Sequence, residues 1–168
     1  KGTHFFDKYE GGGHLYSEIY PYFLESLRDE PIKMFEIGIA KGASMLMWAE
    51  YFTKAKIVGL DIMLSLVDES KKLGVEGGGW ECLDNRDRLD MRQGNQVDEQ
   101  LLLNIMNDYD NEFDIIIDDG SHATEHQMKS FEILYKFVKP NGYYVIEDVH
   151  CDALKENGSL SIFVDKIK

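Results

Sequence analysis

A chain of 168 residues with 43% hydrophobic and 29% charged side chains can bury one core, and it reads as a single globular domain, 1–168. Its net charge of −13 argues against a nucleic-acid or anionic-membrane surface, and no basic stripe offsets it. Cys82 and Cys151 are too few for a disulfide framework and lack zinc-site spacing, and no apolar run approaches the roughly 20 residues of a membrane span.

From His14 to Arg28 the residues Tyr16, Ile19, Tyr20, Phe23, Leu24 and Leu27 fall at helical intervals, between a Gly11-Gly12-Gly13 loop and Pro31. Pro21 is expected to divide this segment into two short helices whose apolar side packs on a sheet. Ile32 to Gly38 reads as the first strand. Gly38-Ile39-Ala40-Lys41-Gly42-Ala43-Ser44 follows as a tight turn into a helix, where Gly38 and Gly42 let backbone amides approach a ligand. The spacing is GxxxG, not the GxGxxG of dinucleotide-binding folds, which disfavours a nicotinamide dehydrogenase. Lys56 to Leu60 is the second strand and ends in Asp61, where an acid would hold a ribose hydroxyl pair; a helix N-cap is the alternative reading.

Ile62 to Asp90 is the least regular stretch: a short helix from Leu64 to Leu73, the Gly77-Gly78-Gly79-Trp80 run and a charge-mixed segment from Glu81. It reads either as the hinge and cover of a lid or as a solvated surface insertion. Arg86, Arg88 and Arg92 are candidates to meet an anionic substrate. Met91-Arg92-Gln93 makes a short third strand ending at Gly94-Asn95-Gln96, whose amide pair suits the edge of an adenine ring, and Val97 to Met106 reads as a helix over that edge.

Phe113-Asp114-Ile115-Ile116-Ile117 has the apolar continuity of a strand covered on both faces, and it stops at Asp118-Asp119-Gly120-Ser121-His122. Met128, Phe131, Leu134, Tyr135 and Val138 then recur at helical spacing from Thr124, with Pro140-Asn141-Gly142 as stop and turn. Tyr143-Tyr144-Val145-Ile146 is a further strand, leading into Glu147-Asp148-Val149-His150. A strand-helix-strand crossover makes the two strands neighbours, about 4.8 Å apart, so their terminal carboxylates can converge on a divalent cation. Because side chains alternate along a strand, periodicity alone does not choose between Asp118 and Asp119, or between Glu147 and Asp148. His126, four residues past His122, also permits a zinc reading, which the neighbouring oxygen donors disfavour. The alternation of elements predicts an α/β, doubly wound, mostly parallel Rossmann-like sheet. A last helix is expected through Leu160, Ile162, Phe163 and Ile167.

Glu36-Ile37-Gly38-Ile39-Ala40-Lys41-Gly42 and Asp61 resemble the cofactor loop and ribose acid of class I S-adenosylmethionine-dependent methyltransferases. Within that superfamily, Asp118-Asp119-Gly120-Ser121-His122 with His126-Gln127 and Ser130-Phe131, then Tyr144-Val145-Ile146-Glu147-Asp148, resemble the metal-dependent sugar O-methyltransferases of macrolide and related glycoside biosynthesis, the cephalosporin hydroxylase and rhamnosyl O-methyltransferase group. Gly94-Asn95-Gln96 and Tyr16 to Tyr20 are similar to stretches of the same family. The resemblance implies Asp119, Glu147 and Asp148 as magnesium ligands and His122 as general base. It implies Glu36, Gly38, Gly42, Ser44, Asp61, Asn95, Gln96, Asp118 and Tyr16 as contacts to S-adenosylmethionine. Asn95 stands where the family commonly has an acid, and the chain is expected to lack the family's last two strands. The activity implied is Mg²⁺-dependent methylation of a hydroxyl on a sugar or glycosylated natural product. The implied partner is a small molecule rather than a nucleic acid or membrane, in the cytoplasm, with room for a homo-oligomer. A catechol-type metal-dependent O-methyltransferase and a non-catalytic cofactor-binding module are the alternatives.

Overall fold

The computed structural model describes residues 16–68 and 86–149. Among the described residues, five strands form one sheet: β1 (Lys33–Ile37), β2 (Lys56–Asp61), β3 (Leu89–Gln93), β4 (Phe113–Asp118) and β5 (Val138–Ile146). All four pairings are parallel and the order is β3-β2-β1-β4-β5. The chain therefore winds outward one way from β1 and returns to wind the other way from β4, leaving a crevice outside the carboxyl ends of β1 and β4. The expected doubly wound sheet is present.

Among the described residues, the helices α1 (Tyr16–Leu24), α2 (Ala43–Tyr51), α3 (Glu99–Asp108) and α4 (Thr124–Leu134) lie over the two faces. Alternating strand residues feed two cores. On one face Met34, Ile57, Ile115 and Ile117 pack with Tyr20, Leu24, Met45, Trp48 and Phe52. On the other, Phe35, Ile37, Val58, Leu60 and Ile116 pack with Leu102, Ile105 and Met106 of α3 and Ile133 and Leu134 of α4. Burying such side chains contributes about 1.5–3 kcal/mol each, which the apolar continuity of β1, β2 and β4 makes possible on both faces.

Several local expectations are corrected. Pro21 lies inside α1 and does not divide it; in a nine-residue helix the missing N–H removes one bond, and the chain tightens into a 3₁₀ turn only at Glu25–Leu27. Tyr20 and Leu24 enter the core, whereas Ile19, Tyr22 and Phe23 remain exposed. Val138 belongs to β5, not to the preceding helix, because α4 ends at Leu134 and Tyr135–Phe137 forms a 3₁₀ turn. Pro140-Asn141-Gly142 is not the stop and turn between helix and strand: β5 runs through it, and the residues are absorbed as a register shift between Phe113 and Ile115 of β4. The irregular stretch ends sooner than expected, since Arg86–Arg88 is a 3₁₀ turn and Leu89 opens β3. The glycine triplet beside Trp80, most of the Leu64 to Leu73 helix and the helix through Leu160 to Ile167 lie outside the described residues. Among the described residues, no helix is long and apolar enough to cross a membrane.

Candidate active site

The hydrogen-bond ladder runs one residue beyond most strands, fixing where each loop leaves the sheet. Gly38 N–H donates to Leu60 O at 2.8 Å, Asp119 N–H to Ile37 O at 2.9 Å, and Glu147 N–H to Asp118 O at 2.9 Å. Asp119 and Asp148 thus follow the ends of adjacent strands, free of strand alternation, and both reach the crevice. Gly38 has φ +86°, and a Cβ there would lie 2.0 Å from the Asp119 carbonyl oxygen, so only glycine lets the loop after β1 pass the loop after β4.

His122 sits between the two acids. Its Nδ1 is 4.0 Å from Asp119 Oδ1 and its Nε2 is 3.9 Å from Asp148 Oδ2. A left-handed backbone at His122 (φ 56°) and at Asp148 (φ 49°) turns each side chain out of the line of its strand. One ligand atom from each of Asp119, His122 and Asp148 lies within 4.8 Å of the others. Burial, and then the charges of Glu147, Asp148 and Asp118, push Asp119 up to about 7. Such crowding of negative charge is what a cation relieves, and two hard carboxylate donors suit Mg²⁺. Glu147 belongs to the same cluster electrostatically, while its carboxylate accepts a hydrogen bond from the Tyr20 hydroxyl.

The cofactor-loop residues divide into two groups. Asp61 faces the loop: its Oδ2 accepts from the Ile39 and Ala40 N–H groups at 3.0 and 2.8 Å, and its Oδ1 from Met63 N–H at 2.8 Å. Exposed Ile62 and Met63 follow it at the rim. Asn95 is also exposed, its Oδ1 accepting from Val97 N–H at 3.1 Å. Gly42, at φ +82°, leads into α2.

Three expected contacts are instead engaged inside the protein. Asp118 is fully buried on the α4 face; it accepts from Ser130 Oγ, from Gln96 Nε2 at 3.2 Å and from Gly120 N–H at 3.3 Å. Gln96 is buried too, and its Oε1 accepts from Ser121 N–H at 2.8 Å, so its amide bridges two loops rather than meeting an adenine edge. Glu36, 3% exposed, accepts from Trp48 Nε1 at 3.0 Å and Ser44 Oγ at 2.9 Å. Asp118, Gln96 and Glu36, expected as cofactor contacts, are here sealed polar groups whose partners lie within the protein, and those bonds hold the loops in place. Ser44 is half-buried beside them, and the Tyr16 side chain lies outside the described residues.

The zinc reading of His122 and His126 is overturned, because α4 starts at Thr124 and the two do not share a helical face; His126 Nδ1 pairs with Ser121 Oγ at 2.8 Å. Two of the three arginines expected to meet an anionic substrate are engaged within the protein, and the Arg86 side chain lies outside the described residues. Arg88 donates to the Ala49, Phe52 and Ala55 carbonyls at 2.8–2.9 Å, satisfying the end of α2, and Arg92 pairs with Asp90 and Asp108. The sequence reading missed the roles of Tyr20 and Trp48. Gln127 and Ser130 left a trace, being polar residues three apart on the buried side of a helix, and Gln127 Nε2 donates to Glu147 O at 3.0 Å.

The chain is 33% identical over 153 residues to an 8-demethyl-8-(2-methoxy-alpha-L-rhamnosyl)-tetracenomycin-C 3'-O-methyltransferase of Streptomyces olivaceus, covering 87% of this chain and 35% of the relative. It is 35% identical over 144 residues to the mycinamicin VI 2''-O-methyltransferase of Micromonospora griseorubida, covering 81% of this chain and 32% of that protein. The chain thus spans about a third of the length of these curated relatives. Among solved structures it is similar to the MycE methyltransferase from the mycinamycin biosynthetic pathway in complex with Mg, SAH and mycinamycin VI. That match has a TM-score of 0.67 and 32% identity over 86% of this chain and 37% of the other. A model of the methyltransferase domain matches residues 35–149, which span β1 to β5 and the whole carboxylate cluster, and the chain belongs to that family.

Proposed function

We propose that this chain is the catalytic core of a Mg²⁺- and S-adenosylmethionine-dependent O-methyltransferase acting on a sugar hydroxyl of a glycosylated natural product. The observation that carries the reading is His122 held between Asp119 and Asp148, with ligand atoms of the three within 4.8 Å. The relatives named above act on such glycosides or bind Mg and SAH, which supports the same assignment here. Asp119, Asp148 and Glu147 would hold the metal, and the Gly38–Gly42 loop with Asp61 would seat the methyl donor. When bound, Mg²⁺ supplies a Lewis acid that lowers the cost of negative charge on the acceptor oxygen, and S-adenosylmethionine supplies an electrophilic methyl.

The chain's own groups do the rest. An aliphatic hydroxyl is a poor nucleophile near pH 7, so its proton must leave as the oxygen–carbon bond forms and the donor's carbon–sulfur bond breaks. His122 accepts that proton, a role worth about 10²–10⁴-fold in rate. Asp119 and Asp148 flank the imidazole and stabilise it once it carries charge. The Gly38–Asp119 backbone contact holds donor loop and acid loop together, and fixed geometry of this kind supplies much of the remaining rate. The whole chain, 1–168, then acts as one donor-binding domain, with Ile62 and Met63 as apolar cover beside Asp61. Its acceptor is a small molecule, and a charge of −13, which repels nucleic acid, accords with that; the location that goes with this reading is the cytoplasm.

The test is product formation by mass spectrometry with a panel of glycosylated macrolides and aromatic polyketides, with a catechol in parallel. Methylated glycoside that disappears with a chelator and falls at least about 100-fold in His122→Ala is expected. Turnover of the catechol alone would replace the sugar assignment, and cofactor binding with no product from any acceptor would favour the non-catalytic reading.

A further inference from the structure

We propose that Tyr20 is a positioning residue: its hydroxyl sets the Glu147 carboxylate for the divalent cation and so ties α1 to the state of the metal site. The inference rests on the metal reading above. Glu147 has its main chain fixed on both sides, its N–H donating to Asp118 O at 2.9 Å and its carbonyl accepting from Gln127 Nε2 at 3.0 Å. With the backbone pinned, side-chain torsions decide where the carboxylate goes. The Tyr20 hydroxyl, 127 residues away in sequence, donates to Glu147 Oε1.

Tyr20 is itself held firmly. It is 7% exposed, and its ring meets Trp48 edge-on at 5.0 Å and 86°, while the Trp48 N–H donates to Glu36 at 3.0 Å. The phenol hydroxyl is the donor in this pair, its proton directed at the Glu147 carboxylate. A phenol has one proton to give and can engage only one of two carboxylate oxygens at full strength. Three acids share this corner, and the charges of Glu147 and Asp148 both act on Asp119. Before an ion arrives, like-charge repulsion would swing Glu147 away. A donor fixed in the core opposes that swing, so the site is preorganised and an ion need not pay to gather its ligands. The arrangement also gives α1, which carries exposed Ile19, Tyr22 and Phe23 on its outer side, a direct link to the metal.

The experiment is calorimetric titration of Mg²⁺ into the wild-type chain, Tyr20→Phe, Glu147→Gln and the double variant, with S-adenosylhomocysteine titrated separately without metal. Tyr20→Phe keeps the ring on Trp48, and thermal melts confirm that it folds. Groups that orient a metal ligand typically matter by about 10–100-fold in metal affinity, and that loss is expected in Tyr20→Phe, with S-adenosylhomocysteine affinity unchanged. In the Glu147→Gln background the tyrosine change should have no further effect. Unchanged or tighter Mg²⁺ binding in Tyr20→Phe, or additive losses in the double variant, would overturn the proposal. So would a lower melting temperature with Mg²⁺ affinity intact, the signature of a merely structural tyrosine. Absence of Mg²⁺ binding in the wild type would instead remove the metal reading and this inference with it.

Discussion

Glu36 offers a sharp test of the electrostatics beneath the cofactor loop. It is 3% exposed, and burial is the main reason its pKa is pushed up to about 8; the charges of Asp119 and Glu147 add to this, and hydrogen bonds from Trp48 and Ser44 oppose it. An acid raised in this way keeps its proton in the folded chain where the unfolded chain has already ionised. Between its ordinary 4.5 and about 8 the folded state holds the extra proton, so the contribution of Glu36 to stability is fullest below that window and is lost as pH rises through it. At about 1.4 kcal/mol per pH unit, that range corresponds to a loss on the order of 5 kcal/mol by its upper end. Glu36→Gln removes the ionisation. The new amide still accepts from Trp48, and the Ser44 hydroxyl can turn to accept from it, so the change costs about 1 kcal/mol at pH 4 to 5. Urea denaturation of both proteins from pH 4.5 to 8.5 should give curves that cross, with the variant the more stable by several kcal/mol at the alkaline end. Subtracting one curve from the other cancels the titration of Asp119 and other shared groups. A difference that stays flat across this range would refute the claim that Glu36 is buried as a neutral acid.

Two further substitutions probe the loops. Gly38→Ala forces a Cβ to within 2.0 Å of the Asp119 carbonyl oxygen at a backbone φ of +86°; it should lower stability by about 3 kcal/mol or more in denaturant unfolding, and a loss under about 1 kcal/mol would contradict the close packing of the two loops. Asp61→Ala takes the acceptor away from the Ile39, Ala40 and Met63 amides. Hydrogen bonds to a charged group contribute about 1.5–3 kcal/mol, so calorimetric affinity for S-adenosylhomocysteine should drop at least about tenfold, and unchanged affinity would remove Asp61 from the donor site.

The amino-acid order by itself determined the layers and the ends where chemistry collects. Apolar runs such as Ile115 to Ile117 can be satisfied only with cover on both faces, and acids at the tips of such runs must lie where the cover stops. The GxxxG turn and the spacing to Asp61 were equally local, so the turn from β1 into α2 and the strand end beside it were legible. What tertiary structure alone decided was which acid faces which way. Asp118 and Asp119 are adjacent in sequence, yet one is sealed against Ser130 and Gln96 while the other reaches His122, because β4 ends between them and its last bond passes from Asp119 to Ile37. Pro140 to Gly142 read as a stop because turn propensity is a short-range signal, and a neighbouring strand can absorb the extra residues as a bulge. The Tyr20–Glu147 pair leaves no pattern in the sequence, since 127 residues separate the partners and only the packing of α1 across the sheet face brings them together.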